Sequence, residues 1–111
     1  MTQNDYKYAV VDLEATGTGS SAKIIQIGIV LIENGIITKT YETDVNPHEE
    51  LDEHIKELTG LNDERLGRAP EFSQVAAEVY ELIQDAIFVA HNVKFDANLL
   101  AEALFWEGFD L

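Results

Sequence analysis

Residues 8–19 decide the fold of this chain, and they read YAVVDLEATGTG. Tyr8 to Leu13 form a short, β-branched, nearly continuous apolar run, which is typical of a strand buried on both faces. The two acids Asp12 and Glu14 stand at the end of this run, and a loop rich in glycine, threonine and serine follows them. We therefore expect a buried strand with carboxylates at its carboxyl end.

The residues after this loop predict a hairpin. Residues 23–33 (KIIQIGIVLIE) predict a second strand, and Asn34-Gly35 is a strong signal for a two-residue turn because both positions tolerate positive φ. Ile36 to Asp44 should therefore return antiparallel to the second strand. The first three strands are expected to form a meander, with Tyr8–Leu13 inside the sheet.

Helices dominate after Pro47. Residues 49–58 read as a helix, Pro70 opens an amphipathic helix, and a last helix is predicted over 94–107. Ala86 to Ala90 predict a fourth strand, which should lie parallel to a neighbour because a helix precedes it. The order β-β-β-α-α-β-α predicts an α/β fold, with a mixed sheet and flanking helices.

The composition fits a single acidic domain. The chain has 111 residues, and 21 acids against seven bases give a net charge of −14, which repels phosphate backbones. A nucleic-acid substrate would require some acids to hold cations, or positive charge from another segment or partner. The absence of cysteine excludes disulfides and thiolate metal sites. No secretory pattern or membrane-length apolar run occurs, so we expect a soluble, cytoplasmic protein without membrane contact.

Asp12 and Glu14 are two residues apart on one strand, so their side chains point to the same face. Tyr8 and Val10 share that face, which predicts that it is the inner one. Two like charges beside a core are costly unless a cation lies between them. The alternative, that the strand end lies in solvent and the two acids have no function, explains the pair equally well.

Asp96 favours the cation site. It precedes an apolar stripe on the last helix and continues that stripe at its N-terminal end. The stripe consists of Leu99, Leu100, Ala103 and Leu104. An acid that only complements the helix dipole is the alternative, but it does not explain the inward position. If the fourth strand lies beside the first, three carboxylates converge into a site suited to Mg²⁺ or Mn²⁺.

Three segments of the sequence resemble a known family. VVDLEATGTG at 10–19 resembles the first motif of the DnaQ-like (DEDD) 3′→5′ exonucleases, and AHNVKFDANLL at 90–100 resembles the second. LTGLNDERLGRAPEF at 58–72 is similar to the connector between them. The resemblance runs from Lys7 to Phe109. The residues VDLEATG followed by IIQIGIV are most similar to the exonuclease domain of Gram-positive DinG-type helicases. The ε subunit of DNA polymerase III is a near relative.

The resemblance implies a ribonuclease H-like fold and metal-dependent phosphodiester hydrolysis at a single-stranded DNA 3′ end, with RNA as the other substrate. Asp12, Glu14 and Asp96 would be the catalytic residues and would hold two Mg²⁺ or Mn²⁺ ions. Asp12 would bridge both ions, Glu14 would hold the ion that activates water, and Asp96 would hold the second. The residues that would grip the terminal nucleotide are Leu13, Ala15, Thr16, Asn92 and Phe95. His91 resembles a structural histidine of the motif rather than a base.

The sequence departs from the family pattern in two places. Ala15 replaces the commoner threonine, which is a mild change because that position acts through its backbone. The family's third motif, with a general-base histidine or tyrosine and a fourth aspartate, has no match in this sequence. Residues 1–111 are therefore expected to be the N-terminal part of one exonuclease domain, C-terminally incomplete and inactive or weakly active. Exposed apolar surface on the last helix, and self-association as a homodimer, would follow.

Two other functions remain open on the sequence. The chain could be a non-catalytic module that binds single-stranded nucleic acid or docks on a helicase domain or polymerase. It could also be an acidic interaction protein with no nucleic-acid role, which only the net charge supports. A response to divalent metal would separate the exonuclease and the nucleic-acid-binding module from the acidic interaction protein.

Overall fold

The computed structural model describes residues 6–111, which form four strands and four helices. In chain order these are β1 (Lys7–Ala15), β2 (Ile24–Glu33), β3 (Ile36–Asp44), α1 (Glu53–Thr59), α2 (Asp63–Gly67), α3 (Phe72–Ile83), β4 (Ile87–Val89) and α4 (Val93–Trp106). The predicted α/β class is confirmed, although the short helix α2 was not predicted.

The four strands form one mixed sheet in the order β3-β2-β1-β4. β1 pairs antiparallel with β2 and parallel with β4, and β2 pairs antiparallel with β3. Asn34 and Gly35 have φ values of 54° and 77°, which is the conformation that a two-residue hairpin requires. The predicted meander, the central position of β1 and the parallel fourth strand are all confirmed.

Side chains of β1 alternate between a covered face and a more open face of the sheet. Ala9, Val11 and Leu13 are buried in the main core, whereas Tyr8 and Val10 on the other face are only half-buried. The predictions that β1 is buried on both faces, and that the Tyr8 face is the inner one, are therefore wrong. The reason is that α3 and α4 contribute core residues on the Ala9 side, and the other face keeps its exposure within residues 6–111.

Helix α3 covers the sheet with the predicted apolar stripe. Its buried residues are Val75, Ala76, Val79, Leu82 and Ile83. Glu71 and Gln74 form a reciprocal capping box at its start, in which the Glu71 N–H donates to Gln74 Oε1 at 2.9 Å. In α4, Leu100 and Leu104 are fully buried against the same core. The helix therefore presents one face to the sheet, as its sequence pattern predicted.

The short helices between β3 and α3 differ from the prediction. Helix α1 begins at Glu53 rather than at residue 49, because the Asp52 side chain caps it by accepting from the Ile55 N–H at 3.0 Å. Gly60, with φ 74°, ends α1 as predicted. Leu66 of α2 is buried in a small second cluster. The other buried members of that cluster are Ile25, Leu51 and Leu61.

Helix α4 leaves several large apolar side chains in solvent. Val93, Phe105 and Trp106 are exposed, which confirms the expectation of apolar surface on this helix. None of the helices in the described part of the chain combines the length and the hydropathy that a bilayer crossing requires.

Candidate active site

The carboxyl end of β1 carries the first two carboxylates. Asp12 lies opposite Gly28 in the β1–β2 ladder, and Glu14 lies opposite Gln26. A register shift between Glu14 and Ala15 interrupts the ladder directly after the second acid. Such a bulge bends a strand and re-aims its side chains, so the regular sheet ends at the candidate site.

The face that Asp12 shares with Val10 opens on a shallow cavity of about 400 Å³. Gly28, Thr40 and Glu42 are among its lining residues. Because Gly28 has no side chain, the strand beside Asp12 adds nothing that would cover the carboxylate. Asp12 is accordingly exposed, although it lies on a central strand.

The loop after β1 is closed by hydrogen bonds between its two ends. The Thr16 N–H donates to the Lys23 carbonyl at 2.9 Å, and the Lys23 N–H donates to Thr16 Oγ1 at 2.9 Å. Thr16 therefore uses both its backbone and its side chain to hold the loop next to Glu14. The predicted nucleotide-binding positions Leu13 and Ala15 belong to the same strand end.

Asp96 faces inward, as the sequence predicted. It lies in the first turn of α4, and its side chain is almost entirely removed from solvent, with 7% of the residue exposed. The Asp96 N–H donates to the Asn92 carbonyl at 3.0 Å. The β1–β4 pairing and the short turn at 91–92 bring this helix start to the carboxyl end of β1.

The three carboxylates form one electrostatic group. Burial raises the pKa of Glu14, and the charges of Asp12 and Asp96 raise it further. Burial also raises the pKa of Asp96, as does the charge of Asp12, while His91 acts in the opposite direction. The charges of Asp12 and Asp96 therefore oppose ionisation of Glu14, and the charge of Asp12 opposes ionisation of Asp96, which a cation among them would reverse.

The carboxylates are neighbours rather than a closed set of ligands. Within residues 6–111, no group of three histidine, aspartate or glutamate side chains is placed to hold a metal ion as it stands. Asp12 and Glu14 project from the open face of β1, whereas Asp96 lies on a helix that packs on the Leu13 side. The donor chemistry fits a hard divalent cation, and the roles of the three residues as ligands stay a prediction.

The other predicted nucleotide-binding residues flank Asp96. Asn92 is exposed at the N-cap of α4, and its side chain makes no capping hydrogen bond to the residues that the structure describes. Phe95 is half-buried immediately before Asp96. Both residues therefore lie next to the three carboxylates, and their side chains remain available to a ligand.

One polar network beside the site was missed in the sequence. Gln26, opposite Glu14, donates through Nε2 to Asp44 Oδ1 at 3.0 Å. Arg65 of α2 donates to the same carboxylate, through Nε to Oδ2 at 2.6 Å and through Nη2 to Oδ1 at 3.0 Å. Gln26 lies opposite Asp44 because the ladder shifts register between Leu31 and Ile32; the register that the Asn34-Gly35 turn begins would place Thr43 there, so the sequence carried no signal for this contact.

Fold and site together define a class, an α/β domain of the ribonuclease H-like type with acids at the strand end and at a neighbouring helix start. Residues 9–109 match the RNase_T family, which is a family of exonucleases. The chain belongs to this exonuclease family.

Curated relatives match most of this chain. The protein named 3′-5′ exonuclease DinG of Staphylococcus aureus strain USA300 is 46% identical over 97 residues, which cover 86% of this chain and 11% of that relative. The DinG protein of strain NCTC 8325 gives the same values. The chain therefore spans about a tenth of the length of these relatives.

Solved structures show the same fold. Product-bound exonuclease I has a TM-score of 0.82 at 14% identity, covering 98% of this chain and 27% of the other. Escherichia coli exonuclease I in complex with a 5cy-dA13 oligonucleotide has a TM-score of 0.82 at 14% identity, with 95% and 25% covered. A 3′-exonuclease described as recognising the histone mRNA stem-loop has a TM-score of 0.61 at 27% identity, with 74% and 40% covered.

Proposed function

We propose that this chain forms part of a metal-dependent 3′→5′ exonuclease domain, which hydrolyses phosphodiester bonds at nucleic-acid 3′ ends. The observation that carries the proposal is the electrostatic grouping of Asp12, Glu14 and Asp96, which come from distant parts of the sequence. Membership of the exonuclease family, and a relative named 3′-5′ exonuclease, support the same reaction.

The catalytic group would hold two Mg²⁺ or Mn²⁺ ions, with Asp12 shared between them and Glu14 and Asp96 each holding one. Bound divalent ions supply stabilisation for the attacking and leaving oxygens of a phosphodiester. Glu14 and Asp96 are partly desolvated, and the repulsion between their charges and that of Asp12 favours cation binding. The neutralised acids would also reduce the repulsion between the substrate and a chain of net charge −14.

Residues around the acids would position the terminal nucleotide. Leu13, Ala15 and Thr16 lie at the strand end, next to the loop that Thr16 closes, and would contact the nucleotide there. Asn92 has free amide donors and acceptors for a nucleotide, and Phe95 offers a ring for base stacking. Single-stranded DNA is the proposed substrate, because the similar exonuclease I was solved with a dA13 oligonucleotide. RNA is the alternative, as in the histone mRNA 3′-exonuclease.

In the native setting we place this domain in the cytoplasm, beside a helicase domain or a polymerase. The family resemblance to DinG-type helicases and to the polymerase ε subunit supports these partners. The similar exonuclease I has been solved in an ExoI/SSB-Ct complex, so domains of this fold can also associate with an accessory protein.

A second candidate function is a non-catalytic module that binds single-stranded 3′ ends. The observation that favours it is the absence, within residues 6–111, of a preassembled three-ligand metal group. Such a module would bind an oligonucleotide near Asn92 and Phe95 and release no product.

A nuclease assay distinguishes the two functions. Single-stranded DNA labelled at its 5′ end is incubated with Mn²⁺ and either the unmodified chain, Asp12→Asn or Asp85→Asn. The two variants remove the same charge, but Asp85 is exposed and lies outside the carboxylate group. The exonuclease proposal expects a one-nucleotide ladder that Asp12→Asn abolishes and Asp85→Asn retains.

The same assay on a version extended beyond Leu111 tests the expected contribution of the family's third motif. A ladder much stronger in the extended version would show that a base and a fourth acid complete the site. If the extended chain gives the same products with and without the Asp12→Asn substitution, the exonuclease proposal is contradicted. Binding of the oligonucleotide without any product in either version would support the second function.

A further inference from the structure

A second cavity, of about 480 Å³, lies between α4, the start of α3 and the loop after β1. Its apolar lining includes Phe72, Leu99, Ala103 and Trp106. The described lining contains none of the three carboxylates of the candidate active site. We call this cavity the α3–α4 groove.

Helix α4 presents a second stripe to this groove. Leu99, Glu102, Ala103 and Trp106 are spaced three or four residues apart along one side of the helix, next to the buried stripe that contains Leu100. Trp106 is 75% exposed, and its ring contacts Phe105 edge-on at 5.7 Å. A tryptophan left in solvent at the edge of an apolar groove is the type of residue that anchors protein interfaces.

Charges around the groove favour a basic occupant. The two lining side chains that could meet an acid already contact a glutamate, Lys23 Nζ at 3.5 Å from Glu49 Oε2 and His48 Nε2 at 2.6 Å from Glu71 Oε1. Glu102 and Glu107 also line the groove, and neither forms an ion pair with any residue in the described range. The rim therefore keeps a negative excess on a chain whose net charge is −14.

This charge disfavours two other occupants. A nucleic acid would bring phosphates against an acidic rim. A second copy of the chain would bring another −14 charge against it, so the homodimer expected from the sequence is not the occupant that the groove favours. A basic segment would satisfy both the apolar lining and the glutamates.

We propose that the α3–α4 groove docks a basic segment of a partner protein through one apolar anchor. The anchor, an aromatic or large aliphatic side chain, inserts beside Phe72 and Trp106. Lysine or arginine side chains that flank the anchor meet Glu102 and Glu107. The site is separate from the proposed exonuclease chemistry, and its test does not depend on catalysis.

Trp106 makes the test direct because it is the only tryptophan in the sequence. Its emission is recorded while a short synthetic peptide, with one phenylalanine between two pairs of lysines, is added to the chain. We expect a saturable blue shift, and binding about tenfold weaker when serine replaces the phenylalanine. The Glu102→Gln/Glu107→Gln double variant should bind the phenylalanine peptide severalfold more weakly.

The matched control is the Glu57→Gln/Glu81→Gln double variant, which removes the same charge from exposed positions outside the groove. It should bind the peptide as the unmodified chain does. Equal weakening in both double variants would show general charge attraction and overturn the proposal, as would an unchanged emission. A saturable shift with a single-stranded oligonucleotide, or a shift with protein concentration alone, would assign the groove to nucleic acid or to a second copy instead.

Discussion

Asp12 and Asp96 lie near opposite ends of the sequence, yet in the folded domain burial raises the pKa of Asp96 and the charge of Asp12 raises it further. The parallel pairing of β4 with β1 and the short turn before α4 produce this relationship. Their repulsion in a partly buried site opposes folding in the absence of a cation. Such a destabilising arrangement is typical of a functional site, and it makes stability and activity respond oppositely to substitution.

Replacement of Asp96 by asparagine should stabilise the metal-free domain while removing its function. The folded-state pKa of Asp96 is raised above 3.8, so its contribution to stability is fully present below the unfolded pKa and is lost as pH rises through the raised value. At neutral pH, Asp96→Asn removes this cost, and we expect an increase in the free energy of unfolding in EDTA. Urea unfolding measures it.

Asp85→Asn is the control for that measurement, because Asp85 is exposed and its left-handed backbone conformation (φ 62°) suits asparagine equally well. Its unfolding midpoint should stay unchanged. A metal-free Asp96→Asn domain that unfolds at lower urea than the unmodified chain would show that Asp96 is not under electrostatic strain.

The Asp44–Arg65 pair should contribute to stability through its fixed geometry. Burial acts to raise the pKa of Asp44, but hydrogen bonds from Arg65 and Gln26, with the guanidinium charge, outweigh it and lower the pKa. Asp44→Ala leaves both donors without their acceptor, and we expect a loss of about 1 kcal/mol at neutral pH because Arg65 is half-exposed. Since the pKa is lowered, this contribution is present above pH 3.8 and is lost as pH falls through the folded value.

Arg68→Ala provides the comparison for Asp44→Ala. Its partner Glu64 is one helical turn away, and both side chains are largely in solvent, so the loss of that ion pair should not be measurable. Urea unfolding at neutral and acidic pH would measure both variants. Equal losses in the two variants would mean that the bidentate geometry at Asp44 adds nothing.

Two asparagines at helix starts should separate substrate binding from stability. The Asn92 side chain makes no capping bond to the described residues, so Asn92→Ala should leave the free energy of unfolding nearly unchanged but weaken binding of a 5′-labelled oligonucleotide in Ca²⁺. Asn62 caps α2 by accepting from the Arg65 N–H at 2.8 Å, so Asn62→Ala should lose about 1 kcal/mol and keep full affinity. Fluorescence anisotropy and urea unfolding measure the two effects. An Asn92→Ala chain that binds as tightly as the unmodified one would remove Asn92 from the proposed nucleotide site.

The sequence predicted features that depend on local pattern and missed those that depend on tertiary packing. The Asn34-Gly35 turn pairs Glu33 with Ile36, although the register shift between Leu31 and Ile32 that follows was not predicted. The spacing from Asp96 to Leu100 places that acid on the inner face of α4. Strand alternation shows that Asp12 and Glu14 share a face, but it does not show which face the helices cover. Arg65 could not be assigned to Asp44 because its position depends on how the short helix α2 packs against the sheet.

Binding of Mn²⁺ is the most direct test of the claim that Asp12, Glu14 and Asp96 act together as a cation site. Free Mn²⁺ is measured by its paramagnetic resonance signal during titration of the unmodified chain, Asp12→Asn, Asp96→Asn and the Asp85→Asn control. We predict saturable binding to the unmodified chain and to Asp85→Asn, with a large loss in both site variants. Binding that is absent from the unmodified chain, or that is equal in Asp12→Asn and Asp85→Asn, would contradict the assignment of this site.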